Sequence, residues 1–203
     1  MIGEEGVSEG RVPALDGTFF LVDPLDGTRE FVKGGNDFTV NIGLVRNRRP
    51  EVGVIYVPAL GKLFGGILGE GAWRTEVVDG KPGLHRPMQV RPAPDGPIDV
   101  VASRSHRTPE TDAFIRRFDV ANLVNRGSSL KFCAVAEGKA DLYPRMGTTM
   151  QWDTAAGEAI LTAAGGRVVQ LDGAPLFYGL NSDGPLFQNP WFVAAGSVEP
   201  LPG

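Results

Sequence analysis

The chain has one cysteine, Cys133, among 203 residues, so no internal disulfide framework can staple it. A reducing compartment suits such a chain, and the cytoplasm is the expected location, with peripheral attachment to a membrane compatible with the same reading. No apolar run approaches the roughly 20 residues that a membrane-spanning helix needs. The start, Met1-Ile2-Gly3-Glu4-Glu5, has neither the basic lead nor the apolar stretch of a signal peptide. A strong excess of one charge is also lacking: 24 acidic against 20 basic side chains leave a formal net charge of −4. That balance argues against a broad nucleic-acid surface and leaves room for one small anionic ligand. Internal repeats and low-complexity tracts are absent, and no Ser-His-Asp or Cys-His arrangement is visible.

What is present is enough apolar material, 42% of the residues, to bury a core. The length fits one domain, or one domain and part of a second. With 28 glycines and 16 prolines spread along it, the chain reads as many short elements joined by turns. Residues 18–23 read as a buried strand that Pro24 should end. Residues 38–46 and 51–57 read as strands joined by the polar turn 47–50, whose arginines read as a solvated tip. Residues 62–74 read as a hairpin and 75–97 as an irregular connection. Beyond it a short strand, 98–102, precedes a helix over 108–118, a strand over 120–124 and helices over 128–137 and 152–164. The pattern predicts a largely antiparallel half, 1–92, followed by a mixed α/β half, 93–203.

The most informative segment is Asp23-Pro24-Leu25-Asp26-Gly27-Thr28. A tight turn there aims Asp23 and Asp26 at one point, with the Leu25 carbonyl between them. Hard oxygen donors gathered this way suit Mg²⁺ better than zinc. Gly27 permits close approach of a ligand, and Thr28 opens a short helix whose free N–H groups suit a phosphate. Taken alone, Asp26 is as easily a helix cap, Gly3-Glu4-Glu5 a solvated surface, and Asp153 in Gln151-Trp152-Asp153-Thr154-Ala155-Ala156-Gly157 the N-cap of the third helix.

Together the three segments, in this order, resemble the inositol monophosphatase family. The flanking residues Arg29-Glu30-Phe31, Asn36–Ile42, Ser103–His106, Gly127–Cys133 and Ala140–Arg145 are similar to its 3′(2′),5′-bisphosphate nucleotidase (CysQ type) branch. The resemblance implies a layered α-β sandwich, α+β or α/β, of the inositol monophosphatase and fructose-1,6-bisphosphatase type. It implies that Glu4, Asp23, the Leu25 carbonyl, Asp26 and Asp153 hold two or three Mg²⁺ ions, with sensitivity to lithium. Glu4 and Thr28 would be the catalytic pair, Thr28 orienting the attacking water. Asp26, Gly27, Thr28 and Asp153 would meet the phosphate, and Ser103, His106, Gly127 and Lys131 would line the nucleotide side. Lys131 stands near a helix start, where a cation is not favoured by the dipole, so an anionic partner explains it. Cys133 and Trp152 read as core, and His85 as an exposed residue.

The implied reaction is in-line attack by water on the 3′-phosphate of adenosine 3′,5′-bisphosphate, or of its sulfated relative, without a phosphoenzyme. Alternatives are an inositol or sugar phosphate phosphatase on the same core, or a chain that binds metal and nucleotide without turnover. The family also carries two helices, a hairpin and a water-activating Asp ahead of its Gly-Glu-Glu, and no counterpart of these precedes Gly3 here. A fragment, a late start and a natural truncation are the open readings. The corresponding sheet face is expected to be exposed, or covered in a homodimer or by another chain.

Overall fold

The computed structural model describes residues 1–12, 15, 17–181 and 185–201. Alternation of inward and outward residues builds the first sheet. In Thr39–Arg46, for example, Thr39, Asn41, Gly43 and Val45 are buried while Val40, Ile42 and Leu44 face the other way. The strands, in chain order, are β1 (Ile2–Gly3), β2 (Thr18–Asp26), β3 (Thr39–Arg46), β4 (Arg49–Val57), β5 (Lys62–Ile67), β6 (Gly71–Val78), β7 (Lys81–Pro82) and β8 (Arg86–Met88). They pair in the order β1 to β7, with β8 also on β6. Only β1 and β2 run parallel. Two one-turn helices follow its first two strands, α1 (Glu4–Ser8) after β1 and α2 (Thr28–Val32) after β2.

The second sheet has the order β10-β9-β11-β13-β12, from β9 (Ile98–Ser103), β10 (Val120–Arg126), β11 (Leu142–Arg145), β12 (Arg167–Gln170) and β13 (Phe192–Ala195). Helix α3 (Pro109–Ile115) packs on one face of this sheet, giving a small core with Val100, Leu142, Val193 and Ala195. Helices α4 (Leu130–Ala136) and α5 (Gln151–Ala163) supply the main core together with the inner faces of both sheets. The architecture is an α+β layered sandwich.

A row of glycines sets how closely α5 approaches. Gly43, Gly53 and Gly66 stand side by side across β3, β4 and β5. A Cβ on Gly53 would lie 2.2 Å from the Ala156 carbonyl oxygen, and one on Gly66 2.7 Å from the Ile160 Cα. The helix backbone therefore rests directly on the sheet. The outer face of this sheet leaves Phe20 and Ile42 exposed.

Several elements differ from expectation. Pro24 does not end β2: Asp23 pairs with Asn41 and Asp26 with Thr39, so two residues oppose one in a bulge that absorbs the proline. The region after residue 74 is not wholly irregular, because β6 runs on to Val78 and β7 and β8 pair with it. Helix α5 begins at Gln151 with Met150 as its cap, so Asp153 is not the N-cap but sits in the first turn, accepting from Met150 N–H at 2.9 Å. The turn between β3 and β4 is more than a solvated tip, since Tyr178 N–H donates to the Arg48 carbonyl at 3.1 Å and the Arg48 guanidinium lies over Phe177.

Candidate functional site

The bulge in β2 turns the Asp23-to-Thr28 segment toward the junction of the two sheets. There a cavity of about 300 Å³ is walled by Glu4, Asp23, Leu25, Asp26, Gly27 and Thr28 from the first half of the chain. Ser103, His106, Gly127, Lys131 and Asp153 line it from the second half. Every candidate site residue named from the sequence thus lines one cavity. Gly27 adopts φ +89°, and a Cβ there would lie 2.8 Å from the Asp37 carbonyl oxygen. Glycine is required on both counts.

Electrostatically the cavity concentrates acids. Burial and the repulsion of Asp26 push the pKa of Asp23 up to about 8. Burial and Asp26 likewise push Asp153 up to about 7. Asp26 is itself raised by burial, against the opposing pull of Lys131 and of hydrogen bonds from Ser129 N–H and Asn41. Glu4, the exposed member, adds repulsion to both Asp23 and Asp153. Such carboxylates cannot all ionise together without a compensating cation. Among the described residues no three of these acids form a ready ligand cluster. Each of the three aspartates is turned onto a backbone donor: Leu25 N–H to Asp23 at 2.9 Å, Ser129 N–H to Asp26 at 2.7 Å and Met150 N–H to Asp153 at 2.9 Å. The donor set, all oxygen and mutually repelling, fits a hard divalent cation such as Mg²⁺.

The same cavity also holds basic side chains. Lys131 is buried, its pKa lowered to about 8 chiefly by that burial, and its ammonium donates to the Ser128 carbonyl. His106 N–H donates to Ser103 Oγ at 3.0 Å, and partial burial with Arg145 and Arg29 nearby lowers its imidazole pKa. The Thr28 hydroxyl donates to the Leu25 carbonyl at 3.2 Å.

Sequence reasoning missed several residues here. Arg145 is buried on the cavity wall and donates to the His106 and Thr148 carbonyls at 3.3 and 2.6 Å. Among the described residues no carboxylate pairs with it, and its Nε and the Trp152 Nε1 are the two buried side-chain donors without a partner. Glu30, also on the wall, accepts from the Ser105 hydroxyl. Behind Asp26 a buried network joins Thr39, Asn41 and Ser129: Thr39 and Ser129 share a hydroxyl contact of 2.8 Å, and Asn41 donates to Asp26 at 3.3 Å. The available signal was two polar residues, Thr39 and Asn41, at inward positions of an otherwise apolar strand. Cys133 is buried and its thiol pKa is raised by that burial, which suits packing and not nucleophilic chemistry. His85 is exposed but stacks on Trp73 at 3.8 Å. No described helix is long and apolar enough to cross a membrane.

A model of the inositol monophosphatase family matches residues 1–199. The 3′(2′),5′-bisphosphate nucleotidase CysQ of Escherichia coli K12 is 45% identical over 160 residues, 79% of this chain and 62% of that protein. Its namesake in Buchnera aphidicola is 40% identical over 178 residues, 88% of this chain and 64% of that one. The chain therefore spans less than two thirds of the length of these relatives. Among solved structures, CysQ from Bacteroides thetaiotaomicron superposes with a TM-score of 0.79 at 40% identity, covering 98% of this chain and 77% of that one. An inositol monophosphatase from Anabaena gives 0.73 at 30% identity, covering 97% and 73%.

Proposed function

The chain belongs to the inositol monophosphatase family, and from that premise we propose that it is a Mg²⁺-dependent phosphomonoesterase acting on adenosine 3′,5′-bisphosphate. One observation carries the reading: four carboxylates with Leu25 line the same cavity as the basic side chains Lys131, His106 and Arg145. A substrate with two anionic groups matches both sets of groups, one for the reacting phosphate and one for the distant phosphate. The curated relatives bear the name of that activity.

Glu4, Asp23, Asp26, Asp153 and the Leu25 carbonyl are the groups that would hold Mg²⁺. When bound, Mg²⁺ supplies positive charge to the transferring phosphoryl group and acidifies water beside it. Water attacks phosphorus as the bond to O3′ breaks, giving AMP and inorganic phosphate, with the departing 3′ oxygen taking a proton. Thr28 would orient the attacking water through its hydroxyl, and Glu4, an exposed residue of the cavity wall, would accept the water's proton. The Gly27 and Thr28 amides face the phosphate, where Gly27 leaves the approach open. Ser103, His106, Gly127 and Lys131 hold the nucleotide, and buried Arg145 adds a fork suited to an oxyanion.

Phosphate release from adenosine 3′,5′-bisphosphate and from inositol 1-phosphate, each with and without Mg²⁺, tests the reading. Mg²⁺-dependent release that favours the bisphosphate is expected. Preference for inositol 1-phosphate, or release unaffected by chelation, would sink it.

A further inference from the structure

Asp37 lies outside the cavity wall, is buried, and touches both halves of the site. Its carbonyl oxygen is wedged between the two glycine turns. A Cβ on Gly27 would stand 2.8 Å from it, and a Cβ on Gly127 2.7 Å. Its carboxylate accepts from Gly127 N–H at 3.0 Å. The same carboxylate pairs with Arg104 at 3.0 Å and Arg126 at 3.6 Å, residues next to Ser103 and Gly127 in the chain. Both guanidinium groups are about half exposed, 52% and 50%, so water screens those pairs and the buried bond to Gly127 is the firmer link.

What Gly127 does is passed on. Ser128 follows with φ +44°, a left-handed conformation that a non-glycine residue adopts only under restraint. Ser129 N–H then reaches Asp26, and the Ser128 carbonyl receives the Lys131 ammonium. One side chain thus fixes the turn that carries both the support of Asp26 and the Lys131 cation.

We infer that Asp37 is a positioning residue that sets the spacing between the Gly27 turn and the Gly127 turn, and with it the preference for a two-anion over a one-anion substrate. The specificity half of this inference rests on the function proposed above. Asp37→Ala removes the acceptor and the partner of two arginines. Hydrogen exchange at the Gly127 amide should quicken by at least about tenfold. The ratio of kcat/KM for adenosine 3′,5′-bisphosphate over inositol 1-phosphate should fall by at least about tenfold, the change in the ratio lying in KM for the bisphosphate, while any loss of kcat through the loosened support of Asp26 is shared by both substrates. Asp37→Asn keeps an oxygen acceptor and should hold both readouts within about threefold of the unsubstituted chain. A folded D37A chain with unchanged exchange at Gly127, or an unchanged ratio, overturns the inference. If D37A does not fold, D37N decides alone, and its losing either readout is the overturning result. The exchange measurement needs no substrate. A chain that releases phosphate from neither compound therefore overturns the proposed function and leaves the positioning to be judged by exchange.

Discussion

Glu158 lies further along α5 than Asp153, enclosed, with the Tyr178 hydroxyl donating to it at 2.8 Å and Arg49 at 4.0 Å. Burial pushes its pKa from 4.5 up to about 7, against the pull of Tyr178 and Arg49. The folded chain therefore keeps a proton between pH 4.5 and 7 that the unfolded chain has released. Stability contributed by this site falls as pH rises across that window and levels off above it. Glu158→Gln retains an acceptor for Tyr178 and removes the titration. Urea unfolding at a series of pH values should show the variant more stable than the parent above pH 7, on the order of a few kcal/mol, with the difference vanishing below pH 4.5. Asp26→Asn tests the other kind of carboxylate. It keeps one acceptor for Ser129 and loses the charge, so Mg²⁺-dependent turnover should drop by at least about a hundredfold while the unfolding midpoint holds or rises. Lys131→Ala should weaken the bisphosphate by at least about tenfold more than a monophosphate, since both substrates lose the support of Lys131 for Asp26 and only the bisphosphate also loses a cation for its second phosphate.

At the level of elements, the glycine row under α5 is the decisive contact. Gly53→Ala places a methyl group 2.2 Å from a helix carbonyl, and backbone on both sides leaves nothing flexible to yield. The cost should be about 1–3 kcal/mol, read as a lowered denaturation midpoint, with turnover reduced because Asp153 rides on the displaced helix. The sequence held part of this in plain view. Asp23, Leu25 and Asp26 were legible as residues of one cavity wall because they share one six-residue segment. The strands of the first sheet were legible from alternation over eight or nine residues. The β2 bulge was not, because the register with Asn41 and Thr39 belongs to the partner strand. Ser129 and Thr39 meet across 90 residues of sequence, and nothing local announces that. Strands β11, β12 and β13 have four residues each, too few for a period to show, and Arg145, noted as the end of a resembling segment, was given no role of its own.

Over the whole molecule, the strands divide near residues 89–97 but the core does not. Leu21, Val45, Ile55, Val57 and Phe64 from the first sheet share one cluster with Phe132, Trp152, Ala155, Ile160 and Leu161 from α4 and α5. The helices that bury the first sheet thus come from the second half of the chain. Removing them would expose five large side chains of that sheet, at about 1.5–3 kcal/mol each, on the order of 10 kcal/mol in total. That equals the whole stability expected of a domain, about 5–15 kcal/mol. The opposite piece would fare no better, since α5 would lose the sheet against which it rests. Residues 1–92 alone should therefore remain unfolded, with poor dispersion in a proton spectrum. The full chain should unfold in one transition, with tryptophan fluorescence and far-ultraviolet circular dichroism giving the same midpoint. Trp73 reports on the first sheet and Trp152 on α5, so variants keeping one tryptophan each can follow the two layers separately. Midpoints that separate, or a folded 1–92 piece, would mean that the sheets are independent and that polar contacts such as those of Asp26, Glu30 and Asp37 hold the cavity between them.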